Sequence, residues 1–152
     1  MTFDAAHLHL MLNHLPVIGA PLLLILLGIG LLRRSSELIR VSFALIVALA
    51  LASALVYITG EPAEELVEHA PWFQHALLER HEDHAAIALG ASLVSGVAAI
   101  AGLVFQRRPG AERWLAQATW VILLIATLLF GWTGWSGGQI RHDELRAATA
   151  MR

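Results

Sequence analysis

Four long apolar runs, separated by short polar connections, set the pattern of the chain. They cover residues 10–32, 39–59, 85–105 and 114–135. Each is long enough to cross a bilayer as a helix, which takes about 20 residues. The pattern predicts an all-α membrane protein: one domain over residues 1–152, with four transmembrane helices in an up-down bundle. Pro16 suits a first helical turn. Pro21 lies deeper and leaves the Val17 carbonyl without its donor, so a bend is expected there. That bend serves either helix packing or a ligand beside His14. In the third run Ala85, Ala88, Ser92, Ser95, Ala99 and Gly102 form a stripe of small residues. Such stripes let membrane helices approach closely, and a flat wall for a planar cofactor is the other reading. Trp114 at one end of the fourth run, and Trp132 and Trp135 at the other, fit the aromatic belts of the two interfaces. Gly137-Gly138 is expected to break that helix.

Composition strengthens the membrane reading. The chain is 57% hydrophobic and 14% charged, where soluble domains are about a quarter charged. Its net charge of −2 gives no footing for nucleic acid. The absence of cysteine excludes disulfides, thiolate-ligated clusters, Cys-type zinc sites and thioether-linked haem. The N-terminal flank carries Asp4 and no basic residue, unlike a signal peptide.

Charge also sets an expected orientation. Arg33, Arg34 and Arg40 lie in the first connection and Arg107, Arg108 and Arg113 in the third. Basic short loops collect on the cytoplasmic side. Both termini and the acidic second connection are therefore expected outside, with Arg141, Arg146 and Arg152 of the tail arguing the other way. All eight histidines then fall at the outer end: His7, His9, His14, His69, His75, His81, His84 and His142.

Imidazole at the edge of hydrocarbon is costly without a partner and marks a candidate site. On one continuous helix His7 and His14 are nearly superposed, with His9 on another face. His14 and His81 stand at similar depth on two helices that enter from the same side, and a Gly-Gly turn would return His142 towards them. Two such imidazoles suit bis-histidine haem b, a ligation that favours electron transfer, and Arg141 can pair with a propionate. The alternative is a non-haem site for copper, zinc or iron, drawing on His7, His9, His14, His81 and His142 with Glu64, Glu65, Glu82 or Glu144. A third reading is a structural or assembly subunit without cofactor. The chain lacks the Glu-x-x-His pairs of di-iron bundles. Glu82 and Asp83 are candidates for orienting an imidazole. Glu61, Glu65 and His69 share a helix face, which is a ligand face or, more commonly, solvated acidic surface. No nucleophile triad, phosphate loop or nicotinamide fingerprint is present. A redox carrier is thus favoured over an enzyme. Its expected partners are the bilayer and either a redox protein at the outer face or a quinone, within a homo-oligomer or larger membrane complex.

Four pieces carry a resemblance. They are His7-Leu-His9 with Asn13-His14-Leu-Pro16-Val-Ile-Gly19, then Gly60-Glu-Pro-Ala-Glu64-Glu65, then His81-Glu82, then Gly137-Gly138-Gln-Ile-Arg141-His142-x-Glu144. They resemble a family of small bacterial four-span membrane proteins. The resemblance implies four spans in a bacterial inner membrane with these motifs gathered at one face. It singles out His7, His9, His14, His81 and His142, and leaves His69, His75 and His84 outside the motifs.

Overall fold

A computed structural model describes residues 4–108, 110–142 and 144–145, and every regular element among them is a helix. In order these are α1 (Ala5–Leu12), α2 (His14–Arg33), α3 (Ser36–Ile58), α4 (Gly60–Val67), α5 (His75–Phe105) and α6 (Ala111–Arg141). Four helical stretches are long and apolar enough to cross a membrane: Ala5–Arg33, Ser36–Val67, His75–Phe105 and Ala111–Arg141. The chain is a multi-pass, membrane-compatible helical protein.

The four long helices form a ring. α2 packs on α3 and α6, α5 packs on α3 and α6, and the diagonal pairs scarcely touch. Successive helices run in opposite directions, so the up-down bundle of the sequence is the fold. α1 lies against α4 at the end where α2 and α5 begin and α3 and α6 finish. Leu27, Phe43, Ile46 and Leu123 are fully buried in the centre. Leu22, Leu51, Leu55, Val97 and Leu128 are each more than 60% exposed on the outside. Apolar surface this extensive marks a face meant for lipid or protein rather than water.

The stripe of small residues serves close packing. Ala88, Ser92, Ser95, Gly96, Ala99 and Gly102 are the buried positions of α5, and Ser92, Gly96 and Gly102 among them meet α3. A methyl group on Gly96 would stand 2.8 Å from the Ala50 Cβ, and one on Gly102 would strike the Phe43 ring. The Ser92 hydroxyl donates to the Ser53 hydroxyl at 3.2 Å between the same two helices. The opposite seam is tied by the Trp120 indole, which donates to the Leu24 carbonyl of α2 at 3.0 Å.

Pro16 lies in the first turn of α2, as expected, while the expectation at Gly137-Gly138 changes. The first apolar helix is interrupted: α1 ends at Leu12 and α2 starts at His14, with Asn13 between them at φ −64° and ψ −21°. Pro16 explains the interruption, because it has no N–H for the Leu12 carbonyl. Pro21, by contrast, lies inside an unbroken α2. The Gly137-Gly138 pair does not break the fourth helix. α6 continues through it to Arg141, because α5 packs against this turn and a glycine is what fits there. His142 is consequently not returned by a turn towards His14 and His81; it stands beyond the helix end.

Candidate functional site

A helix rises 1.5 Å per residue, so 31 residues reach about 46 Å while hydrocarbon is about 30 Å thick. The long helices therefore project beyond the expected spans. At one end this overhang carries the histidines: His7 and His9 on α1, His14 opening α2, His69 after α4, His75, His81 and His84 in the first three turns of α5, and His142 after α6. The predicted gathering at one end of the bundle is present.

His81 is the best-seated of them. Its Nδ1 lies 3.1 Å from the Thr133 carbonyl and 3.3 Å from the Ser136 hydroxyl of α6. A carbonyl oxygen only accepts, so Nδ1 carries the proton and Nε2 keeps its lone pair. The ring sits against Gly137, where a methyl group would stand 2.9 Å from its Cε1. His9 reaches inward from α1, its Nδ1 3.0 Å from the Thr59 hydroxyl. That hydroxyl donates its proton to the Val56 carbonyl at 2.7 Å, so His9 donates to it from Nδ1, and the neutral ring carries its lone pair on Nε2. His9 is close enough to His81 for a charge on either to act on the other.

The same division of the ring recurs in the remaining motif histidines. His14 donates from Nδ1 to the Leu10 carbonyl at 2.7 Å. His7 donates to the Asp4 carboxylate at 2.8 Å and His142 to the Glu144 carboxylate at 3.0 Å. The His7 backbone N–H and then its ring hold the Asp4 carboxyl below the usual carboxylate range. All five residues singled out by sequence thus have Nδ1 bound to an acceptor, which leaves the lone pair of the neutral ring on Nε2. That is the arrangement by which proteins orient an imidazole for a metal.

The structure joins these residues only in part. No hydrogen bond or ring contact links His14 to His81; His14 is exposed and turned onto its own chain. His142 is exposed and paired with Glu144. Arg141 stacks over the Trp72 ring at 4.8 Å, so its guanidinium is already engaged. Glu64 is half-buried and Glu65 exposed on α4, while Glu82 is exposed on α5 within reach of the charges of Glu61 and Glu64. His69 lies past the end of α4, its side chain 91% exposed beside Glu68, which fits solvated surface. His75 is exposed against the Phe73 ring. Among the described residues, no three His, Asp or Glu side chains gather closely enough to hold a metal ion.

His84 matters more than the motifs suggested. Its ring lies 5.0 Å from the Trp132 ring, and its buried Nδ1 has no partner. The three-residue spacing from His81 was the available signal, since it puts both on one helix face. Nothing in the spacing pointed to Thr59, Thr133 and Ser136, the groups that orient His9 and His81. Comparison of the chain with protein-family models, with curated proteins and with solved structures gave no match.

Proposed function

We propose that this protein is a metalloprotein of the bacterial inner membrane, whose histidine end faces outward and binds haem b for electron transfer. The observation that carries the reading is the common state of the five motif imidazoles: Nδ1 held by an acceptor, so that Nε2 is the nitrogen with a lone pair to offer. Iron in bis-histidine haem needs two protein imidazoles and no third side chain. His81 and His9 are the pair the geometry favours. They come from different helices, are half-buried, and have their tautomers fixed by Thr133 and Thr59. His14, His7 and His142 stand around them at the same end. Haem would supply one-electron chemistry there. The chain's part is to fix both imidazole tautomers and shield the pair beneath α1 and α4. The partner in this reading is a quinone or a redox protein at the outer face. A non-haem copper, zinc or iron site is the second reading, since imidazoles held at Nδ1 suit those ions as well.

Visible absorption and elemental analysis of the purified full chain test this. A Soret band that shifts on reduction is expected, lost in His81→Ala and His9→Ala and kept in His75→Ala. Loss in His14→Ala with retention in His9→Ala would select the His14–His81 pair instead. Stoichiometric metal without a Soret band would select the second reading, and neither haem nor metal would overturn both.

A further inference from the structure

The end of the bundle away from the histidines holds a cleft of about 270 Å³, lined by Ser36, Arg40, Gln106, Arg107 and Glu112. It lies where α3 and α6 begin and α5 finishes. Its polar groups are arranged rather than scattered. The Ser36 hydroxyl donates to a Glu112 carboxylate oxygen at 2.6 Å, and the Arg40 Nε donates to the Ser36 carbonyl at 3.0 Å. The Gln106 amide nitrogen is tied to the Leu103 carbonyl at 2.7 Å. Neither Arg40 nor Arg107 forms an ion pair among the described residues. Two guanidinium groups without a direct ion pair therefore line one cleft together with a single carboxylate, Glu112.

We propose that this cleft binds the phosphodiester headgroup of an anionic phospholipid whose headgroup carries hydroxyls. Guanidinium forks match phosphate oxygens, and two arginines with one carboxylate leave a single positive charge, equal and opposite to a phosphodiester. Glu112 can accept a bond from a headgroup hydroxyl, which a choline headgroup lacks. The site stands at the end of the apolar spans, where headgroups lie. Val104 and Trp114, both 65% exposed, offer the adjoining apolar surface along which acyl chains can run. The proposal is independent of what the histidine end binds.

The test is thermal unfolding of the full chain, stripped of lipid in detergent, against added phosphatidylglycerol, phosphatidylcholine or glycerophosphate. A saturable rise in Tm with phosphatidylglycerol alone is expected. The R40Q/R107Q variant should raise the half-saturating concentration at least tenfold, and R33Q/R34Q should leave it unchanged. Should the double variant misfold, Arg107→Gln alone should still weaken the response. An equal rise with phosphatidylcholine, an unchanged response in R40Q/R107Q or in a correctly folded Arg107→Gln, or an equal loss in R33Q/R34Q would overturn the proposal. A full rise with glycerophosphate at the same concentration would show a free-phosphate site and overturn the lipid assignment.

Discussion

Gly137 shows how tightly His81 is held. A methyl group there would stand 2.9 Å from the His81 Cε1 and 3.1 Å from its Nδ1. The ring would have to move, and its bond to the Thr133 carbonyl at 3.1 Å would be strained or lost. Gly137→Ala should therefore destabilise the protein by about 1–3 kcal/mol, the usual range for overpacking. It should also shift the His81 imidazole resonances. Gly131 and Gly134, on the same helix, have open space where a Cβ would go. Alanine at either should be neutral or stabilising by up to about 1 kcal/mol, the helix-propensity difference. Unfolding of the three variants side by side checks this, and equal stabilities would show that the His81 seat has slack. His84 is the contrasting residue. A buried polar atom without a partner costs about 1–3 kcal/mol, so its Nδ1 is a tension in the fold rather than a support.

Among the elements, α5 does two jobs with two faces. One face, near its start, sends His81 and His84 to α6; the other puts Ser92, Gly96 and Gly102 against α3. Between membrane helices there is no hydrophobic drive to compensate a gap, so close van der Waals fit and short polar bonds such as Ser92 to Ser53 hold the pair. Gly102 is the tightest point, because Phe43 is fully buried and has nowhere to retreat. Gly102→Ala should cost about 1–3 kcal/mol by forcing that ring aside, whereas Gly90→Ala, with open space around it, should not. Reversible unfolding in mixed detergent measures the difference. A Gly102→Ala variant as stable as Gly90→Ala would mean that the α3–α5 seam can open. The closeness of this seam also leaves its interior to packing, so the planar-wall reading of the stripe falls away.

The whole molecule has two chemically different ends. One carries the histidines with α1 and α4; the other carries Arg33, Arg34, Arg40, Arg107, Arg108 and Arg113. Basic short loops stay in the cytoplasm, so the histidine end should face outward. A reporter that works only outside the cytoplasm should be active when fused after the C-terminus and silent when inserted in the connection between α5 and α6. The reverse pattern would place the histidines inside and remove the outer-face partner from the functional reading. Arg141, stacked on Trp72, keeps its charge and is the described basic residue of the tail that argues the other way. Arg146 and Arg152 lie outside the described residues.

The sequence by itself determined the number of spans, the antiparallel order, the helical class and the clustering of histidines at one end. These follow from hydropathy and from short connections, which are local properties of the chain. It also marked the α5 stripe, because small side chains at helical spacing have few other uses in a membrane. What it could not determine was which histidines meet. The His14–His81 pairing rests on equal depth, and depth leaves the rotation of each helix about its axis open. Packing fixed that rotation, turning His81 to α6, bringing His9 in to Thr59 and leaving His14 exposed. The Gly137-Gly138 turn was misread for a related reason. Two glycines favour a break when nothing packs on them, and only the tertiary structure shows that the His81 ring occupies the space where the first one's Cβ would go. Periodicity reports a residue's face and depth; contact between faces is a property of the assembled bundle.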